Sequence, residues 1–363
     1  MGETTAMPFG NDPAKTERYK AFWNRDDVSR PLVGFSLVGW FPFQEFRACG
    51  AWGKDGYLTL DLIDPEEFLD DHVRICREGE ILDDGVIRGA CPAQAAIPWL
   101  PGMLGARMRV LPDNVLGEES RRPWEEILQI SLDTANGWYR KYMAFADALV
   151  RRAAGRFPVS HSPEVGPTDL HAILRGHTES ILDLMTEPER SAALLQRLGQ
   201  IFIDVTQDLW KRVPLFAGGY FDAQYSLWAP GSIVRMQEDA TAVYSPELYR
   251  KYVQPVDRMI ARRFECPFIH LHSTSMFLLD DFLAIEEIKC YEINQDAIGP
   301  PVAKMIPHFQ RVQQARRPLF VRGSFTPEET RLLMDSLEPR GLFFNIIVES
   351  MEHMESLRPI LKM

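Results

Sequence analysis

The amino-acid sequence predicts an α/β protein that folds as one (β/α)8 TIM barrel. Roughly eight apolar segments alternate with amphipathic helical segments over 363 residues, with no long linker and no change in composition between them. A run of βα units of this length fits a closed barrel, with parallel strands inside and helices outside. A doubly wound open sheet is the alternative. The chain has neither GxGxxG after its first strand nor a GxxxxGKS/T loop, so nothing supports a nucleotide-binding version of that fold.

The predicted strands share short apolar runs that end in polar or turn residues, as buried strands of a parallel sheet do. They cover residues 32–38, 85–88, 157–162, 215–221, 233–239, 267–274, 289–296, 319–323 and 342–349. Helices are predicted between them, the longest over residues 124–154 and 188–213. Residues 1–15 are polar and contain Gly and Pro, which predicts a mobile N-terminal arm before a single barrel domain over residues 16–363.

Charge and cysteine content exclude several classes of protein. The net charge is -11 and the arginine pairs are scattered, whereas a phosphate backbone is bound by a clustered basic surface, so no nucleic-acid partner is expected. The five cysteines include no CxxC pair, which argues against a disulfide framework and favours a reducing compartment. No basic start leads into an apolar run, and no apolar stretch reaches about 18 residues, so neither export nor a membrane span is expected. We therefore expect a cytoplasmic protein.

Two histidines on one predicted strand form the centre of the candidate site. His270 and His272 are two residues apart, so their side chains point to the same face, where His-x-His supplies two imidazole ligands for zinc or a similar ion. On the next predicted strand Glu292, Asn294 and Asp296 share one face and offer oxygen ligands or a general base. Parallel α/β folds keep their chemistry at these strand ends. In the alternative interpretation His270 is a hydrogen-bonded core histidine and His272 alone is functional.

Three more polar residues end predicted strands and are candidates for the same rim. Asp239 follows an apolar strand and is either a catalytic acid or the cap of the turn that follows. His161 stands at the end of its strand, which makes it a candidate catalytic residue. Glu349 follows the last strand and is either an acid that contacts the substrate or a solvated helix start.

Aromatic residues surround the predicted rim. Such a rim suggests a small or flat organic substrate rather than a highly charged one. Taken singly, each aromatic side chain is also explained by packing in the core. The expected substrate contacts are Trp40, Phe41, Trp99, Tyr220 and Trp228.

Four stretches in the second half of the chain form a set. They read Leu227-Trp228-Ala229-Pro230-Gly231, Gln237-Glu238-Asp239, Tyr244-Ser245-Pro246-Glu247-Leu248-Tyr249-Arg250-Lys251-Tyr252-Val253-Gln254-Pro255 and the histidine strand. The set resembles the uroporphyrinogen decarboxylase-like superfamily, from about residue 157 to residue 363 and more faintly at residues 97–100. The resemblance implies a (β/α)8 barrel of that kind, and it implies an activity like that of haem-pathway decarboxylases or of zinc-dependent methylcobamide methyltransferases.

The chain departs from both branches of that superfamily. The decarboxylases carry an RxxGR motif after the first strand to bind propionate groups, but this chain reads Gly39-Trp40-Phe41-Pro42-Phe43 there, with Arg47 nearby. The methyltransferases hold zinc with a His-x-Cys pair and a distant cysteine, whereas this chain has His270-Leu271-His272 followed by Ser273 and Thr274. A polycarboxylate tetrapyrrole would lack its counter-charges, and a thiolate zinc site is not intact.

We therefore expect an enzyme, with metal-assisted methyl transfer on a small organic or corrinoid substrate as the first hypothesis. Zinc would be the cofactor, held by His270 and His272, with Glu292 or Asp296 as third ligand or base. A corrinoid protein is a partner that the resemblance implies, and an aromatic barrel end favours a homodimer. The alternative is a cofactor-free carboxy-lyase, in which an acid such as Asp239 or Asp296 stabilises a protonated intermediate. A third class is a non-catalytic barrel that binds a ligand.

Overall fold

A central sheet of six parallel strands, flanked by helices, organises the protein. The structure is a computed structural model that describes residues 8–37, 42–53 and 56–363. The sheet has the strand order β1-β11-β10-β9-β8-β7, a second sheet is formed by β2-β3-β4, and β5 pairs with β6. The strands are β1 Leu32–Ser36, β2 Tyr57–Leu58, β3 Met108–Val110, β4 Val115–Gly117, β5 Tyr220–Asp222, β6 Leu227–Ala229, β7 Ile233–Gln237, β8 Cys266–His272, β9 Cys290–Asn294, β10 Leu319–Gly323 and β11 Leu342–Ile347.

Helices cover the sheet and fill the connections between its strands. They are α1 Lys15–Asn24, α2 Leu69–Cys76, α3 Glu78–Leu82, α4 Trp99–Met103, α5 Trp124–Ile127, α6 Gly137–Ala153, α7 Pro167–Arg175, α8 His177–Thr186, α9 Pro188–Trp210, α10 Pro246–Leu248, α11 Gln254–Ala261, α12 Leu279–Leu283, α13 Val302–Gln314, α14 Pro327–Ser336 and α15 Met351–Leu357. The interruption between α5 and α6 has a local cause, because Asn136 accepts a hydrogen bond from the Trp138 N–H and starts a new helix there. No helix of the described ranges is long and apolar enough to cross a membrane.

The register of the six-stranded sheet places polar residues in one row. His272 pairs with Asn294, Asn294 pairs with Arg322, and Arg322 pairs with Asn345. Gly34 continues the row on β1. Side chains that pair across parallel strands point to the same face of the sheet, so this row forms a polar layer on one face. The layer lies near the carboxyl ends of the strands, which confirms the predicted location of polar groups there.

Three segments that the sequence predicts as strands differ from that prediction. Of residues 215–221 only the last two lie in a strand, β5, which pairs antiparallel with β6 outside the six-stranded sheet. Residues 85–88 and 157–162 carry no regular strand, and an isolated parallel bridge joins Ala90, just after the first of these segments, to Val159 in the second. Side chains take over the backbone groups that a strand ladder would use. Asp84 accepts from the Phe35 N–H at 2.7 Å, and Asn11 accepts from the Arg88 N–H at 2.7 Å. With these extended segments beside β1, the six-stranded sheet is compatible with a TIM-like barrel.

Part of the predicted mobile N-terminal arm, residues 8–14, packs against the protein body instead. Phe9 is buried and packs edge-on against Phe157, with ring centroids 5.3 Å apart. The Asn11 side chain also donates to the Arg88 carbonyl at 2.8 Å. Residues 8–14 are therefore held by side-chain contacts before α1 begins, while residues 1–7 lie outside the described ranges.

Candidate metal centre

Two imidazoles and one carboxylate converge at the ends of neighbouring strands. His270 and His272 lie on β8, and Asp239 follows β7 directly. Their candidate ligand atoms all lie within 4.8 Å of one another. The Nε2 atoms of His270 and His272 are 3.3 Å apart, and His272 Nε2 is 3.6 Å from Asp239 Oδ2. Tetrahedral zinc with bonds of about 2.0–2.1 Å holds its ligand atoms about 3.3 Å apart, so the spacings of His272 Nε2 from His270 Nε2 and from Asp239 Oδ2 are close to those around such an ion.

The opposite ring nitrogens of both imidazoles are held by acidic or phenolic groups. His270 Nδ1 contacts the carboxyl group of Glu292 and lies 3.0 Å from the Tyr225 hydroxyl. His272 Nδ1 lies 2.7 Å from Asp296 Oδ1. Carboxylates at Nδ1 fix the ring orientation of metal-binding histidines and favour Nε2 as the ligand atom. Glu292 and Asp296 therefore occupy supporting positions, and Asp239 is the residue placed to offer a third ligand atom.

The loop after β9 places Asp296 through several hydrogen bonds. Its Oδ2 accepts from the Ser273 N–H at 2.9 Å and from the Ser273 hydroxyl at 2.7 Å, and the Asn294 amide contacts its other oxygen. A Cβ at Gly299 would lie 2.2 Å from the Ser273 Oγ, so glycine is needed for the close approach of this loop. These bonds hold the carboxylate against His272 from the side away from the candidate metal position.

Asp239 is anchored through its backbone as well as its side chain. Its N–H and that of Ala240 donate to the Asp169 carboxylate at 3.3 and 3.0 Å. The Gln237 amide contacts the Asp239 carboxylate. The capping role that the sequence left open for Asp239 is thus taken by Asp169, which leaves the Asp239 carboxylate facing His272.

The two imidazoles have opposite protonation tendencies. Burial, followed by the charge of Arg235, holds the pKa of His270 well below its usual range, so His270 is neutral and able to bind a metal. Burial also lowers the pKa of His272, but hydrogen bonds to Asp239 and Asp296 outweigh that effect and raise it to about 10. In the protein without metal, His272 therefore carries a proton between two carboxylates. A cation that binds there has to displace this proton.

A buried tyrosine and two buried arginines lie beneath the histidines. Tyr225 accepts from Arg235 Nε at 3.3 Å, and the Arg322 guanidinium lies 5.3 Å from the centre of the Tyr225 ring. The sequence analysis missed these three residues as part of the site. A signal was present for the arginines, because Arg235 and Arg322 each interrupt an otherwise apolar strand, and a charge within such a strand has to face a polar region.

The remaining predicted site residues lie in different surroundings. His161 is buried, its Nδ1 is 2.8 Å from the Ser162 carbonyl, and it packs edge-on against Trp210 rather than joining the histidine pair. Trp99 and Trp228 are fully buried in the core, where their indole N–H groups donate to backbone carbonyls at 3.0 and 2.8 Å. Their packing explains their positions without a substrate.

Tyr220 and Glu349 also lie outside the metal-binding group. Tyr220 packs edge-on against Trp210, with ring centroids 5.0 Å apart. Glu349 is exposed just after β11, and its N–H donates to His353 Nδ1 at 3.4 Å. The predicted substrate contacts Trp40 and Phe41 fall outside the described ranges.

No protein-family model and no curated protein matches this chain.

Proposed function

We propose that this protein is a metal-dependent group-transfer enzyme with a closed (β/α)8 barrel, related to the uroporphyrinogen decarboxylase-like superfamily, and that it transfers a methyl group. The observation that carries the proposal is the spacing of His270 Nε2, His272 Nε2 and Asp239 Oδ2, which suits a tetrahedral ion. The support of both Nδ1 atoms by Glu292 and Asp296 adds to it.

The donor set suggests how the site differs from the thiolate zinc sites of the methyltransferases that the sequence resembles. Two imidazoles and one carboxylate would hold the ion and leave a fourth position for a substrate atom. A bound zinc ion supplies Lewis acidity to a substrate heteroatom or thiol at that position. All five cysteines are buried, and none belongs to the candidate ligand group of the described residues.

The proposed reaction is a displacement at a methyl carbon. The acceptor thiol loses its proton to solvent, and its electron pair forms the new bond to carbon. The bond between that carbon and the donor atom breaks, and the leaving group takes the bonding pair. Asp239 and the two histidines would orient the acceptor, and Glu292 and Asp296 would keep the imidazoles from turning.

One observation favours a cofactor-free carboxy-lyase as the second candidate. Glu292 is fully buried, and burial raises its pKa to about 8, so without a metal it would hold a proton at neutral pH, whereas the metal-bound site of the first candidate needs it as a carboxylate. A protonated carboxyl group beside His270 could deliver that proton to carbon after carbon dioxide departs. This candidate predicts carbon dioxide release that a chelator does not affect.

Metal analysis of the purified protein tests the proposal first. We expect about one zinc ion per chain, retained by wild type and by the exposed-histidine control His177→Ala, and lost from His270→Ala, His272→Ala and Asp239→Ala. The second assay incubates wild type with methylcobalamin and a simple thiol. Formation of the methyl thioether, abolished by chelator and restored by zinc, supports the proposal. Wild-type protein that binds no zinc contradicts it, and bound zinc without any turnover points to a binding protein.

A further inference from the structure

A small polar cavity lies beside the polar layer, away from the candidate metal ligands. It has a volume of about 40 Å³, enough for a few non-hydrogen atoms, and opens among the ends of β1, β10 and β11. Six of its lining residues matter to its chemistry. They are Glu78, Arg88, Ala223, Gln224, Arg322 and Asn345.

Two buried polar atoms point to a ligand in this cavity. Arg88 uses Nη2 to bind Asp84 at 2.6 Å and the Phe35 carbonyl at 2.7 Å, while its Nη1 is buried without a hydrogen-bond partner in the described part of the chain. Asn345 donates through Nδ2 to the Tyr225 carbonyl at 3.1 Å, and its Oδ1 is likewise buried without a partner there. Each such atom costs about 1–3 kcal/mol unless something binds it. Two residues that line the cavity thus each carry a buried polar atom without such a partner, one a donor and one an acceptor.

The guanidinium groups at the cavity can recognise an anion. Those of Arg88 and Arg322 line it together with one carboxyl group, that of Glu78, and Arg88 is also ion-paired with the Asp84 carboxylate. Burial raises the pKa of Glu78, which weakens the negative charge at that side. Planar guanidinium groups match the geometry of a carboxylate.

The polar layer connects the cavity to the candidate metal centre. Arg322 stands two strands from His272 in the same row, and Asn345 stands three strands away. With neighbouring strands about 4.8 Å apart, these separations are roughly 10 and 14 Å between backbones. The cavity and the candidate metal ligands therefore lie on the same polar layer.

We propose that this cavity binds a carboxylate whose neighbouring carbon carries a hydrogen-bond donor, as in a 2-hydroxy acid. Arg88 Nη1 donates to the carboxylate, Arg322 adds positive charge, and the ligand hydroxyl donates to Asn345 Oδ1. The assignment of this carboxylate to the substrate rests on the proposed function, whereas the binding itself does not. The enzyme would thus act on a small organic acid.

Binding measurements on the wild-type protein test the ligand class without any variant. Glycolate, acetate, neutral glycolamide and inorganic phosphate are titrated separately by calorimetry or ligand-observed NMR. We expect glycolate to bind about 10-fold or more tightly than glycolamide, because the amide lacks the charged group that binds the guanidinium. We expect it to bind several-fold more tightly than acetate, because acetate lacks the hydroxyl that donates a neutral hydrogen bond. Equal binding of glycolate and glycolamide, or tighter binding of phosphate, overturns the proposal.

Variants then locate the site. Arg322→Met should weaken glycolate binding about 10-fold or more, and the exposed control Arg263→Met should bind glycolate as wild type does. Ala223→Val fills the cavity without changing charge and should also weaken glycolate, which covers the case in which Arg322→Met does not fold. Unchanged glycolate affinity in a folded Arg322→Met or Ala223→Val protein overturns the assignment. If wild type binds glycolate but no zinc, only the proposed function is refuted. If wild type binds zinc but no glycolate, only the carboxylate site is refuted.

Discussion

Replacement of Asp296 by asparagine should weaken zinc binding although Asp296 is not one of the candidate ligands. The Asp296 carboxylate accepts hydrogen bonds from Ser273 through one oxygen and faces His272 Nδ1 at 2.7 Å through the other. An asparagine that keeps its oxygen towards the two Ser273 donors turns its NH2 group towards His272. His272 Nδ1 then has to accept, so its proton moves to Nε2, the atom needed for the metal.

The size of this effect follows from the role of the lost contact. Changes to the groups that orient metal-binding histidines typically reduce metal affinity about 10- to 100-fold, which corresponds to about 1.4–2.7 kcal/mol. Asp296 has three hydrogen-bonding neighbours besides solvent, namely His272, Ser273 and Asn294, so asparagine cannot satisfy all of them at once. We expect the effect near the upper end of that range.

Competition with a chromophoric chelator at fixed pH measures the zinc dissociation constant of each variant. Asp335→Asn, which changes an exposed acid on α14, is the matched control and should bind as tightly as wild type. Circular dichroism and the melting temperature verify that Asp296→Asn is folded. An affinity for zinc within about two-fold of wild type in the folded variant would refute the role assigned to Asp296.

Three further outcomes are expected. Saturation with zinc at about 100 times its dissociation constant should stabilise wild type by about 2.7 kcal/mol, seen as a higher melting temperature, and should leave His270→Ala unchanged. Burial raises the pKa of Glu164 from 4.5 to about 8, so between these pH values the folded protein binds more protons than the unfolded chain, and the free energy of unfolding falls as pH rises. Glu164→Gln should remove up to about 1.4 kcal/mol per pH unit of this slope, measured by denaturant titration at several pH values. An unchanged slope contradicts the assignment. Trp99→Ala should lower the free energy of unfolding by about 3–5 kcal/mol, measured by urea denaturation, while zinc content per folded chain remains that of wild type.

Local sequence patterns were enough to predict the histidine side of the site. The two-residue alternation of a strand placed His270 and His272 on one face, and the same argument on the next strand placed Glu292 near them, as the register confirms. The sequence could not distinguish a ligand from a supporting residue, because that depends on which ring nitrogen each carboxylate reaches. Asp239 was therefore predicted as an acid without its position opposite His272, and Asp296 was predicted as a third ligand or base.

The residues that the sequence analysis missed depend on contacts between distant segments. Tyr225 lies in the turn between β5 and β6, and it reaches His270 because that hairpin packs across the sheet. The two segments at 85–88 and 157–162 have apolar patterns typical of strands, but side chains receive some of their backbone N–H groups. Asn11 accepts from Arg88, and the Tyr142 hydroxyl accepts from Ser162. Apolar periodicity predicts which face of a segment is buried. It does not predict whether the backbone N–H groups of that segment donate to a side chain or to a neighbouring strand.

Three consecutive amides in one of those segments donate to side chains rather than to a neighbouring strand. The N–H groups of Val86, Ile87 and Arg88 donate to Asp84, Tyr19 and Asn11 respectively. Two of these acceptors, Asn11 and Tyr19, belong to the N-terminal region. These two side chains therefore tie the N-terminal region to the segment that carries Arg88. Loss of these hydrogen bonds would raise the hydrogen-exchange rate of the amides before the six-stranded sheet opens. It would also loosen the cavity proposed to bind a carboxylate, while the candidate metal ligands on β8 stay in place.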